Sequence, residues 1–407
     1  MPNWKKSRDH QLILKKISEI CEFKNGSIHF RGFEFITYRQ FLTSLIDFEA
    51  DFTSEDNDQL VKIALRRTAE DQNWDSKNFM RHLQKESNKR AASPATEFHL
   101  VSGINIDLNG RKIRYRDDDL EVAFQKNLPS KYREVREHFL KIAGQMDIVD
   151  TEHQPSFLIA KTQQKSFQSA ASALLDYVDY IRASWNLYSN HSMRFFSGGK
   201  KKAVNRIMLG GVQTLHLANG EKAADMFWHE PNFKKGLPDF DLSTNSFGTL
   251  TYGKSVRSRL RTHPYREELK PCFVRYARAL DSTDHHLSFL KLWSLLETLT
   301  ATSNSGYDKT IGRSAFLFKE RDFHIEILRT LREHRNRHVH ADSTTPDIEQ
   351  YVFSLKRYVD TLLHFHLKNR FKFDRLENAC KFMDLPHLRK ELAREISLRE
   401  SAIEFLF

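Results

Sequence analysis

The chain has 407 residues, with 64 Lys and Arg against 53 Asp and Glu, for a formal net charge of +11. That length is enough for two or three buried cores, and the positive excess favours phosphate-bearing partners. Cys21, Cys272 and Cys380 are too scattered to suggest a disulfide framework. The start Met1-Pro-Asn-Trp-Lys-Lys6 has no apolar signal core and no uncharged run is long enough to cross a bilayer, so a cytoplasmic protein is expected.

Residues 10 to about 90 alternate amphipathic helical stretches, such as 9–20 and 57–67, with polar breaks. The polar run Lys85 to Pro94 predicts a linker or long loop, with a subdivision near residue 93. The period then changes to two: Ile104, Ile106 and Leu108 share a face, Asn109-Gly110 offers a tight turn, and Ile113 and Tyr115 return as a hairpin. Phe167, Ala171, Leu174, Leu175, Val178 and Ile181 predict the longest helix, over 164–188. It leads into Arg194-Phe-Phe-Ser-Gly-Gly-Lys-Lys-Lys202, a basic loop whose Phe pair would stack on bases while Lys200, Lys201 and Lys202 hold phosphates. The alternative is that the Phe pair anchors the loop and the lysines are solvated. Strands at 207–209 and 212–217 precede a second turn at Asn219-Gly220.

A stretch richer in Gly, Pro and Ser, from Asn232 to Ser258, leads to the basic cluster Arg257-Ser-Arg-Leu-Arg-Thr-His263, and a domain boundary is expected near residue 268. Helices follow around 272–281, 284–301, 309–320 and 323–340. Another is expected from Thr345-Pro346, with Ile348, Val352, Leu355, Val359 and Leu362 inward, packing against the helix before it. Residues 375–407 are again helical in pattern, and the apolar end Ile403 to Phe407 is expected to dock. His285-His286 and His364-x-His366 read as helix-end and surface residues.

The stretch Leu331 to Asp342 holds Arg335, Asn336 and His340 in the spacing Arg-Asn-x-x-x-His, where the apolar pattern of Ile325, Leu328 and Leu331 runs out. Continuing that pattern by four residues puts Arg335 on the inward stripe, and Asn336 and His340, four apart, share a neighbouring face. These residue types suit metal-free RNA cleavage. RNA carries its own nucleophile in the 2′-hydroxyl, so an enzyme need only move protons and steady the charge on phosphate. His340 titrates near neutrality, Arg335 offers a fork of donors to phosphate oxygens, and Asn336 orients the scissile group or the imidazole. One imidazole does not serve as base and acid at once, so a homodimer with a composite site is expected.

Arg335-Asn-Arg-His-Val-His340 resembles the Arg-polar-x(3)-His signature of the HEPN superfamily ribonucleases. Upstream, Phe289-Leu-Lys-Leu-Trp-Ser-Leu-Leu-Glu-Thr-Leu299 resembles the Trp- and Glu-bearing helix of the Apea-like HEPN branch. The resemblance covers roughly residues 270–370, and it implies an all-α bundle of about four helices. It also implies catalytic roles for Arg335, Asn336 and His340, and a toxin-like place in prokaryotic antiviral defence or growth arrest.

The expected fold is a mixed, mainly α chain. An α+β region with short hairpins (1–268) would sense a trigger or grip RNA, ahead of a HEPN-like helical bundle (269–370) and a helical extension (371–407). The expected function is a metal-independent endoribonuclease without cofactors, with RNA as partner. The alternatives are a non-catalytic HEPN module for RNA or protein binding, and a structural adaptor. Arg335 has a structural reading as an interhelical ion pair with Glu297, itself a supporting residue. Arg337 and His338 are RNA-binding candidates, and His334 is either solvated or an RNA contact. A metal at His334 and His338 is excluded, because Arg335 and Arg337 would oppose a divalent ion.

Overall fold

The computed structural model describes residues 1–5, 9–24, 27–32, 34–48, 52–148, 155–190, 202–230, 233, 239–302, 306–340 and 348–406; the side chains of 23, 24, 27, 243–247, 307 and 337–340 lie outside that description. Among the described residues the chain is mixed and mainly α, with fourteen helices and twelve strands.

The first unit comprises β1 (Asn3–Trp4), α1 (His10–Glu19), β2 (Cys21–Lys24), β3 (Ser27–Phe30), α2 (Glu34–Ser44), β4 (Ile46–Asp47), α3 (Ser54–Glu70) and α4 (Ser76–Ala92). It has its own core, built from Leu14, Ile17, Leu42, Leu60, Leu65, Phe79 and Leu83. The chain enters α3 through a cap in which the Asp56 amide donates to Thr53 Oγ1 at 3.2 Å. The run Lys85–Pro94, expected as a linker, is instead mostly the end of α4. Its Lys, Glu, Arg and Ala are good helix formers, Ser87 is buried, and Arg90 Nη1 donates at 2.8 Å to the buried Asp56.

Next come β5 (Thr96–Ile104), β6 (Ile106–Asp107), β7 (Ile113–Asp117), β8 (Leu120–Gln125), α5 (Ser130–Gln145), β9 (Ser156–Gln164), α6 (Phe167–Ser189), β10 (Leu209–Leu217), β11 (Trp228–His229) and β12 (Phe240–Asp241). Six strands form an antiparallel sheet in the order β11-β10-β5-β9-β8-β7. Alternation along the strands separates its faces. Phe98, Leu100, Leu158 and Ala160 join the core that contains α6, whereas Val101 and Ile159 pack with Tyr132 of α5.

The first expected hairpin is corrected. Asn109 (φ 47°) and Gly110 (φ 75°) do form a tight turn, closed by Arg111 N–H to Leu108 O at 3.0 Å, but the flanking segments do not pair. β6 pairs in parallel with β12, and β7 pairs with β8 across Asp118 (φ 53°). That pairing joins β7 to the sheet and brings Tyr115 edge-on to Trp185 of α6, with ring centroids 6.0 Å apart. The second turn forms as expected, with Gly220 N–H bonded to Leu217 O at 2.9 Å. α6, with 23 residues, is the longest described helix.

The remaining helices are α7 (Leu242–Arg261), α8 (Arg266–Leu280), α9 (His285–Leu299), α10 (Tyr307–Phe316), α11 (Arg321–His340), α12 (Ile348–Lys368), α13 (Leu376–Phe382) and α14 (Arg389–Leu406). α7 occupies much of the stretch richer in Gly, Pro and Ser that precedes the basic cluster. Gly253 allows it close to α6, since a β-carbon there would sit 2.6 Å from the Trp185 ring. Position 268 falls in the first turn of α8, and one apolar core runs from Phe98 of the sheet to Met383. Ile348, Val352, Leu355, Val359 and Leu362 of α12 are all buried, as the sequence pattern predicts. The expected docking of the C-terminus does not occur among the described residues: α14 buries none of its side chains, and Phe405 is 89% exposed. α13 already closes the core ahead of it with Leu376, Ala379 and Cys380.

The charge buried on α6 is matched by neighbouring carboxylates. Arg182 of α6, 2% exposed, reaches Asp179 at 2.5 Å and Asp281 at 2.8 Å; Asn205 also donates to Asp281, and Arg278 to Asp179. His285 and His366, expected at the surface, are buried: His285 Nε2 bonds the Lys202 carbonyl at 2.9 Å, and His366 lies between Leu299 O and Tyr265 Oη. No described helix is long and apolar enough to cross a membrane.

Arg182→Met leaves two buried carboxylates without their shared counter-ion, and should cost about 3–5 kcal/mol in a chemical denaturation curve. The buried histidines make stability depend on pH. Burial pushes His216 and His366 down to about 4, against about 6.5 when unfolded. For His366 the burial outweighs the hydrogen bond that its ring makes to Leu299 O. Between those two values the unfolded chain binds protons that the folded chain refuses. Stability is therefore complete above about pH 6.5 and falls as the pH drops towards 4, by roughly 3 kcal/mol for each histidine. Denaturation midpoints from pH 7 to pH 4 should show this slope, and His366→Gln should flatten it.

Candidate functional site

The motif helix α11 is positioned by the face that it buries. His324, Leu328, Leu331 and His334 form that stripe, at the spacing of one helical face. The expectation that Arg335 lies on the stripe is therefore corrected by one residue: His334 takes the buried place, and Arg335 and Asn336 are half-buried beside it. His334, expected to be solvated or to touch RNA, is 2% exposed. Its ring meets Phe289 edge-on at 5.0 Å and Tyr351 of α12 at 4.6 Å, and stacks at 6.3 Å on His286. A second tie lies two to three turns back, where His324 Nδ1 and Tyr358 Oη are 2.8 Å apart. As expected, α12 packs against the motif helix.

These contacts fix the end of α11 against the start of α9 and turn its next residues outward. Arg335 Nη1 donates to Asn336 Oδ1 at 3.3 Å, so the guanidinium and the amide stand side by side. The backbone continues helical to His340, one turn beyond Asn336. The side chains of Arg337, His338 and His340 lie outside the described residues, as do Lys200 and Lys201.

Glu297 is engaged elsewhere. It follows Phe289 by eight residues on α9, roughly 12 Å along the helix axis, and its Oε1 accepts from Trp293 Nε1 at 2.9 Å. That bond satisfies the indole N–H of a Trp that is 1% exposed. The carboxylate thus serves a neighbour on its own helix.

Lys202 is tied to the start of α9 by its backbone. Its carbonyl accepts from His285 Nε2 at 2.9 Å, and the neighbouring His286 stacks on His334. The end of the basic loop is thus tied to the start of α9, whose His286 and Phe289 meet His334 of α11. Sequence reasoning missed His285, His286 and His334 as the parts that assemble this corner. The signal was present in the spacing, since His334 follows Leu331 by three and extends the apolar stripe.

Among the described residues no group of three or more His, Cys, Asp or Glu side chains is arranged to hold a metal ion. Comparisons with protein-family models, curated proteins and solved structures find no match.

The Trp293 to Glu297 bond gives a direct check of the structural role assigned to the carboxylate. Glu297→Gln keeps an oxygen acceptor and should leave the denaturation midpoint nearly unchanged. Glu297→Leu strands a buried indole N–H and should cost about 1–3 kcal/mol.

Proposed function

We propose that the chain is a metal-independent endoribonuclease of the HEPN type, acting on RNA through its own 2′-hydroxyl. The observation that carries the reading is the corner formed by α9 and α11. Arg335 and Asn336 stand together at its half-exposed edge, next to His334, which stacks on His286; the adjoining His285 holds the carbonyl of Lys202, the last residue of the basic loop. A guanidinium next to an amide suits a phosphodiester, with paired donors for its non-bridging oxygens. In this reading His340, one turn further along α11, exchanges the protons. Two protomers contribute one His340 each to a shared cleft, one imidazole as base and the other as acid. A toxin-like role in prokaryotic antiviral defence fits such an activity.

Purified protein should cut single-stranded RNA in excess EDTA and leave 2′,3′-cyclic phosphate and 5′-hydroxyl ends. Arg335→Ala and His340→Ala should each slow cleavage by about a hundredfold at an unchanged melting temperature. An absolute requirement for magnesium, or full activity in both variants, would overturn the assignment. Heterodimers of wild type with His340→Ala test the shared cleft: near-total loss supports it, and half activity rules it out.

A further inference from the structure

Helices α7 and α8 meet the β7 end of the sheet in a cleft that the ribonuclease reading does not use. Four cationic side chains line it, Arg257, Arg261, Arg266 and Lys270, against one lining carboxylate, Asp117. Arg257 is the most buried of the four, at 7% exposed. Its guanidinium lies 3.7 Å from the centre of the Tyr115 ring and donates to Ser184 Oγ at 3.0 Å. Among the described residues, no carboxylate comes within 4.0 Å of it. The contrast with Arg182 is plain, for that buried guanidinium has two carboxylates in contact.

A desolvated guanidinium held by a ring face and one hydroxyl retains unused donor capacity, and burial of such a charge is costly without an anion. Asp118, beside Asp117, is already taken by Arg266 at 2.8 Å. Lys270 Nζ hangs 5.4 Å from the Tyr180 ring centre and 5.8 Å from that of Tyr177. Tyr177 is 1% exposed, and its hydroxyl has no hydrogen-bond partner among the described residues. The cleft therefore combines an excess of cations with an unsatisfied buried phenol at its side.

We infer that this cleft is a binding site for a phosphoryl group, separate from the motif on α11. The inner space of about 10 Å³ admits one oxygen-sized group. A phosphate would insert a single oxygen towards Arg257 and leave the others at the mouth, within reach of the exposed Arg261 and the half-buried Lys270. A planar base or an apolar group has no place at that depth. The phosphoryl group can come from free phosphate or from a nucleotide, and the two sources present the same chemistry to the cleft.

The test is calorimetric titration of the full chain with inorganic phosphate and, separately, adenosine 5′-monophosphate, at ionic strength held constant with sodium chloride. Saturable binding of phosphate is expected, weakened at least tenfold in the double variant Arg261→Gln with Lys270→Gln. Tighter binding of the nucleotide identifies a nucleotide phosphate as the source, and equal binding identifies free phosphate. If the double variant does not fold, Arg261→Gln alone should weaken binding threefold or more. Absence of saturable binding, or binding undiminished in a folded variant, would overturn the proposal. The readout does not involve RNA cleavage, so it stands apart from the outcome at Arg335 and His340.

Discussion

A helix that is buried on nearly all sides can carry charge only if its counter-charge is buried with it. α6 is such a helix: fifteen of its 23 residues are buried, among them both Asp179 and Arg182. The charge of Arg182 is matched from α6 itself by Asp179 and from the far end of α8 by Asp281. The sheet leans on one side of α6 while α7 and α8 pack on others. The ion cluster therefore fixes the rotation of the helix against which the other layers are set. Apolar contacts alone are non-directional and would accept more than one such rotation.

Much of this arrangement is legible as periodicity. The long apolar pattern of 164–188 yields α6, and the inward face of α12 is buried residue for residue. What periodicity does not convey is partner choice. Asn109-Gly110 makes its turn, but Ile113–Asp117 takes β8 as its partner, because that pairing carries Tyr115 into the aromatic cluster of Phe124 and Trp185. Polar composition also misleads at the end of α4, where helix-forming charged residues have the composition of a linker. The apolar C-terminus departs from expectation for a complementary reason: amphipathicity states that a face wants burial, not that the chain itself has surface left to cover it.

The motif is legible because its residue types are chemically unusual together, and its helix is legible from Leu328 and Leu331. The exact face is not, since His can close an apolar stripe when its neighbours are aromatic, as Phe289 and Tyr351 are around His334. The same ambiguity hides the burial of His285 and His366. Each has a ring nitrogen bonded to a main-chain carbonyl, which offsets part of the cost of burying the imidazole. Such carbonyls come from distant segments and leave no local trace in sequence. Glu297 is the reverse case, a residue whose type suggests a site but which serves the Trp one turn before it.

The order of the sheet has a consequence for how copies of the chain meet. Its outer strands are β11, only two residues long, and β7, which carries Arg114 and Arg116 on its exposed positions. A short edge and a cationic edge are both poor templates for strand addition, since incoming backbone would find few groups to pair with on one side and like charge on the other. Growth of the sheet from one molecule into the next is thereby blocked at both ends. A second copy, were one to bind, would have to settle on helical surfaces rather than extend this sheet.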